Sequence, residues 1–251
     1  GRDLLLAVDV SGSMAYSDMR WDGNEISRLE LVKKLFGDFI EDRQGDRVGL
    51  ILFGSRAYLQ SPLTLDRHTV RIWLDEALVN IAGPQTAIGD AIGLAVKRLR
   101  ERPADSRVLV LVTDGASNSG EIEPRTAARL AAEEQVKIYT IGIGADPERT
   151  GIMGMLGMNP GVDLDEPTLI DIAEQTGGAY FRARNTEELK QIEATLDRLE
   201  PALQQPTRAR PALALYSWPL GAALLLSLLL VIQLIWPHAL QTLSSRFARR
   251  T

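Results

Sequence analysis

Apolar residues fall into two kinds of run along the chain. Leu4–Asp9, Val48–Phe53, Val108–Thr113 and Val136–Ile143 are short, near-continuous apolar stretches of buried-strand length. Between them the period lengthens. Arg28–Glu41 places Leu29, Val32, Leu35, Phe36, Phe39 and Ile40 on one helical face. Arg67–Leu78, Gly89–Arg100, Glu123–Glu134, Glu166–Gln175 and Thr186–Leu199 read as further helices, with Ile88, Ile92, Val96 and Leu99 as the apolar stripe of one of them. Ala57–Gln60 reads as a short edge strand before Pro62, and Tyr180-Phe181 as a last strand after the Gly177-Gly178 cap. Strands alternating with helices of this length predict an α/β fold: a doubly wound, mostly parallel sheet with helices on both faces.

The alternation closes at Leu199, so residues 1–200 are expected to form the domain. Residues 201–212, with Pro, Gln and Arg and no apolar period, read as a linker. Leu213–Trp236 then carries no charge, with Tyr216 and Trp218 near one end and Trp236 at the other. About 24 residues at helical rise reach roughly 36 Å, enough for a hydrocarbon core of about 30 Å, so the segment is expected to be a transmembrane helix. The basic tail 237–251 holds Arg246, Arg249 and Arg250 against Arg208 and Arg210 in the linker, which tilts the expectation slightly toward a cytoplasmic C-terminus and a domain on the outer side. The chain opens at Gly1 and enters its first strand almost at once, as expected of a processed or truncated piece. Residues 145–163, rich in Gly and Met, break the pattern and read as an insertion loop.

Composition narrows the function classes. With 45% apolar and 24% charged residues the chain is ordinary globular protein, and a net charge of −5 without a Lys/Arg stripe argues against nucleic acid as a partner. There is no cysteine, which removes disulfides, thiolate metal sites and thiol catalysis. Of the two histidines, only His68 lies in the domain, and no G-x-S-x-G elbow accompanies it.

The chemistry gathers at strand ends. Asp9-Val10-Ser11-Gly12-Ser13 follows the first apolar run and delivers one carboxylate and two hydroxyls to a single loop. Asp114 ends the run Val108–Thr113, and Thr86 sits in the loop before a helix. In a parallel sheet, loops after the strands share one edge, where ligands bind. Asp9, Ser11, Ser13, Thr86 and Asp114 can therefore converge as hard oxygen donors for Mg2+, with Mn2+ or Ca2+ as alternatives. Asp90, Ser117 and Asn118 are nearby but read as cap and turn residues outside this set.

D-x-S-x-S, the loop Thr and the strand-end Asp, in this order, resemble the metal-ion-dependent adhesion site of the von Willebrand factor A domain family, a Rossmann-like fold. Arg2–Met14, Ala57–Thr64, Gln85–Ile92 and Thr176–Ala183 also resemble bacterial aerotolerance (Bat) proteins. The resemblance implies Ser11, Ser13 and Thr86 as direct ligands, and Asp9 and Asp114 as direct or water-mediated ones. It further implies a bacterial inner-membrane protein with a periplasmic A domain, working with MoxR-type AAA+ ATPases and sister membrane proteins in stress tolerance. On the residues themselves, three readings stay open. One is non-enzymatic, metal-dependent capture of an acidic residue on a protein partner. The others are metal-assisted phosphoryl hydrolysis and a membrane scaffold with a structural metal.

Overall fold

The computed structural model describes residues 1–21, 23–144, 164–199, 219–221 and 223–230. The chain divides into two compact units, Gly1–Gln205 and Pro206–Thr251. The first holds a six-stranded sheet in the order β5-β4-β1-β6-β7-β8 and a separate two-stranded ribbon, β2-β3. The strands are β1 (Asp3–Asp9), β2 (Met19–Trp21), β3 (Asn24–Ile26), β4 (Arg47–Phe53), β5 (Ala57–Thr64), β6 (Arg107–Thr113), β7 (Lys137–Ile143) and β8 (Tyr180–Ala183). The helices are α1 (Arg28–Asp42), α2 (Arg67–Asp75), α3 (Ile88–Leu99), α4 (Pro124–Glu133), α5 (Glu166–Gln175) and α6 (Thr186–Leu199). Strands β4, β1, β6, β7 and β8 run parallel, and β5 is antiparallel at one edge.

Period-two alternation divides the core between two faces. Leu4, Leu6, Val8, Val110, Val112 and Ile141 point to the face covered by α1, α2 and α6. Leu5, Ala7, Ile51, Leu109, Leu111 and Ile138 point to the face covered by α3, α4 and α5. Because both faces are buried, the central strands read as continuous apolar runs. Ser27 caps α1 by accepting from the Glu30 backbone N–H at 3.2 Å. Asp66 and Asp165 cap α2 and α5 in the same way.

The structure corrects several boundaries. The edge strand runs to Thr64 rather than Gln60, through Pro62, because Pro is tolerated where its missing N–H faces no neighbour. The pairing of β4 with β5 slips between Val48 and Ile51, and Gly49 makes the slip possible. A Cβ there would lie 2.7 Å from Leu5 Cδ2 and 2.9 Å from the Ser61 carbonyl oxygen. Helix α2 ends at Asp75, three residues before the predicted Leu78. The β2-β3 ribbon was not foreseen; its strands are three residues each, too short to show a period.

In the second unit, residues 219–221 and 223–230 are helical, and Leu220, Leu224–Leu226 and Leu228–Leu230 are exposed. Among the described residues no helix is long and apolar enough to cross a membrane. The remainder of the span expected at 213–236, the linker, the basic tail and the 145–163 insertion lie outside the described residues.

Candidate metal centre

β1 and β6 are adjacent and parallel, so their carboxyl ends bring Asp9 and Asp114 to the same edge. Asp9 is fully buried. Its Oδ1 accepts from the Ser11 backbone N–H at 2.8 Å and its Oδ2 from the Thr113 hydroxyl at 2.6 Å. The first bond folds the loop back over the strand end and sets Ser11 and Ser13 side by side, their Oγ atoms 3.2 Å apart. Ser13 then donates to Asp114 Oδ1 at 2.7 Å. Asp9, Ser11, Thr86 and Asp114 are buried, whereas Ser13 is partly exposed, so the cluster opens to solvent on the Ser13 side.

Thr86 arrives from the loop before α3. The Gly12 N–H donates to the Pro84 carbonyl at 3.1 Å, tying the two loops together. From the other side the loop after β6 grips the Thr86 backbone. Asn118 accepts from the Thr86 N–H through Oδ1 at 2.8 Å, and the N–H groups of Asn118 and Ser119 donate to the Thr86 carbonyl at 3.0 and 3.2 Å. A Cβ built on Gly115 would lie 3.8 Å from Thr86 Oγ1, which places that hydroxyl beside the Asp114 loop. Asp90 Oδ1 accepts from the N–H groups of Glu121 and Ile122 and fixes the far end of the same loop. All five expected residues thus meet on one edge. Asn118 and Asp90 act as supports for the Thr86 and 117–122 loops.

Three further residues shape the site and were not foreseen: Thr113, Asp18 and Arg28. Arg28 is the first residue of α1 and fully buried; its Nη1 donates to Asp114 Oδ2 at 2.8 Å. Its Nε and Nη2 hold Asp18. A cation at the first position of a helix opposes the helix dipole, and that misfit was the available signal for carboxylates nearby.

The electrostatics fit a bound cation. Burial, reinforced by the Asp114 charge, pushes the Asp9 carboxyl up to about 7, although the bonds from Ser11 and Thr113 pull the other way. Burial also raises Asp114, while Ser13 and Arg28 oppose it. Among the described residues no Lys, Arg or His lies within ion-pair distance of Asp9. A buried carboxylate without a cationic partner, beside three hydroxyls, is a donor set that fits Mg2+, Mn2+ or Ca2+. Among the described residues no group of three or more His, Cys, Asp or Glu could hold an ion, so the hydroxyls of Ser11, Ser13 and Thr86 are needed to complete a donor set beside Asp9 and Asp114.

Fold and site together define an α/β domain that gathers two carboxylates and three hydroxyls at one edge of a mostly parallel sheet. The chain belongs to the von Willebrand factor type A domain family, whose model matches residues 3–195. It is 32% identical over 186 residues to an uncharacterized protein of Borreliella burgdorferi, covering 72% of this chain and 53% of that one. Among solved structures it resembles BatB from Bacteroides thetaiotaomicron, with a TM-score of 0.64 and 28% identity, covering 79% of this chain and 98% of that one. It also resembles an aerotolerance-related membrane protein from Bacteroides fragilis, with a TM-score of 0.62 and 26% identity, covering 79% of this chain and 100% of that one. The chain spans between half and two thirds of the length of the curated relatives it matches. The likeness to Bat proteins in four sequence segments is thus repeated in three dimensions.

Proposed function

We propose that this domain captures an acidic side chain of a protein partner through a divalent ion, Mg2+ in the cell, held by Asp9, Ser11, Ser13, Thr86 and Asp114. The observation that carries this reading is the donor set itself, two carboxylates and three hydroxyls on one sheet edge, open on the Ser13 side. Mg2+ prefers six oxygens, and two carboxylates leave it electrophilic toward a third from outside. A groove of about 570 Å³ beside the Thr86 loop, lined by Ser55, Arg56, Asp90, Leu94, Ser119 and Glu121, offers such a partner a second contact.

Catalysis has less support. Hydrolysis needs a group to activate water. His68 opens α2, whose start lies at the sheet edge opposite the metal centre, and its side chain is exposed beside Glu41. At Ser11 a hydroxyl stands where a phosphohydrolase of this topology would want a second acid.

The resemblance to Bat proteins supports the wider setting. There the domain sits on the periplasmic side of a bacterial inner membrane, anchored through residues 213–236, in a stress-tolerance assembly with a MoxR-type AAA+ ATPase and sister membrane proteins. The membrane description of the Bacteroides fragilis neighbour favours the same setting. The test is a pull-down from bacterial membranes with the full chain in Mg2+ and in EDTA, repeated with Thr86→Ala. Partners lost both in EDTA and with Thr86→Ala support capture through the ion. Partners retained in both favour a scaffold whose metal only braces the loops, and chelator-sensitive turnover of a phosphate ester would favour the enzyme.

A further inference from the structure

Among the described residues Arg28 stands apart from the other cations. Its side chain is wholly inaccessible, and it bridges a carboxylate of the metal centre to one outside it. Asp114 Oδ2 is occupied by Nη1 at 2.8 Å, so only Oδ1 is left facing Ser13 and the ligand cluster. The pair with Asp114 is buried on both sides, whereas Asp18 keeps 15% of its side chain exposed. Solvent therefore screens the outer contact and not the inner one. The Arg28 backbone N–H donates to the Tyr16 carbonyl at 3.1 Å, and the guanidinium lies 5.3 Å from the centre of the Tyr16 ring. Tyr16 is half exposed, at the end of the loop that carries Ser11 and Ser13.

We propose that Arg28 is the positioning residue of the metal centre: it fixes Asp114 to present one oxygen and lowers the negative charge seen by the ion, keeping the ion weakly held and receptive to an outside carboxylate. The proposal rests on the metal-binding reading above. Its physical content is a sign. A cation one carboxylate away from a divalent ion repels it, and even in a water-like dielectric the effect on affinity is about tenfold. Removing that cation tightens the ion and weakens the outside carboxylate. Removing Asp18 leaves more of the Arg28 charge uncompensated and loosens the ion. A merely structural salt bridge predicts the same direction for both changes.

The experiment uses the full chain in detergent, with Mn2+ as the probe. Free Mn2+ is read by electron paramagnetic resonance, and acetate binding by the fall in water proton relaxation as it displaces water from bound Mn2+. Arg28→Met should bind Mn2+ at least tenfold more tightly and acetate several-fold more weakly. Arg28→Lys, which keeps the charge, should return Mn2+ to within about threefold of wild type. Asp18→Asn, changed at the partly exposed end, should bind Mn2+ about threefold more weakly. Folded Arg28→Met with equal or weaker Mn2+ binding overturns the proposal. If that variant does not fold, Asp18→Asn with unchanged or tighter binding overturns it. A wild-type chain that binds no Mn2+ would instead defeat the metal-centre reading itself.

Discussion

Asp9→Asn should make the metal-free protein more stable at pH 8 while destroying its metal binding. Asp9 is buried at the end of β1, and burial beside Asp114 raises its carboxyl from 3.8 to about 7. Between those values the folded chain keeps a proton that the unfolded chain has lost. The folded state then binds more protons, so stability falls as pH rises through this window and levels off above about 7. Each pH step of one within the window costs up to about 1.4 kcal/mol. Because the titration is shared with Asp114, the whole window is worth on the order of 2–4 kcal/mol rather than the full product.

Asparagine removes the charge and can keep the contacts. Its carbonyl oxygen accepts from the Ser11 N–H, and its amide donates to Thr113 Oγ1, which already accepts from the Gly115 N–H at 3.3 Å. In EDTA at pH 8 the variant should therefore melt roughly 5–15 °C above wild type, and the two should converge near pH 4. Mg2+ should close the gap and, at about a thousand times its Kd, reverse the order, since it then adds about 4.1 kcal/mol to the wild type alone. Circular dichroism melts of both chains across pH, with and without Mg2+, read all of this. A variant that melts below metal-free wild type by the same amount at every pH would refute the reasoning, because Asp9 would then be a structural hydrogen-bond acceptor and not a charge awaiting a cation.

Asn118→Ala should weaken Mg2+ binding severalfold in calorimetry and cost about 1 kcal/mol in unfolding, since it strips the acceptor that holds the Thr86 N–H. Gly49→Ala should destabilise the fold by about 1–3 kcal/mol in thermal melts without changing metal affinity, because its Cβ would enter space held by Leu5 Cδ2 and the Ser61 carbonyl. Residues 1–205 expressed alone should be a soluble, folded monomer by gel filtration and circular dichroism, since the sheet and both helical layers lie within that unit. Aggregation of that piece beside a well-behaved full chain in detergent would move the boundary.

The fold was legible because both sheet faces are covered. Burial on two sides turns β1, β4, β6 and β7 into apolar runs that need no partner information to recognise. The convergence of Asp9, Ser11, Ser13, Thr86 and Asp114 was legible for a related reason: strand ends and the following loops are local features, and parallel pairing sends them to one edge. What stayed hidden depends on pairing between distant segments. The extension of β5 through Pro62 follows from a bulge opposite Gly49. The role of Arg28 depends on Asp114, 86 positions away. Asn118 read as a turn residue, yet its side chain accepts from the Thr86 N–H and so positions Thr86.

The hidden residues share a logic that the five donors do not explain. A centre built from hydroxyls and two carboxylates is weakly organised by its own chemistry, since hydroxyls rotate and carboxylates repel. Here each carboxylate has one oxygen already held by a protein donor. The backbone N–H of Ser11 holds one oxygen of Asp9, and the guanidinium of Arg28 holds one oxygen of Asp114. Thr86 is held through its peptide, which leaves its hydroxyl available to the ion. Preorganisation of this kind lowers the entropy lost on binding an ion, while the Arg28 charge limits how tightly the ion is held. A site with those two properties suits reversible capture of an acidic group from outside better than permanent storage of a metal.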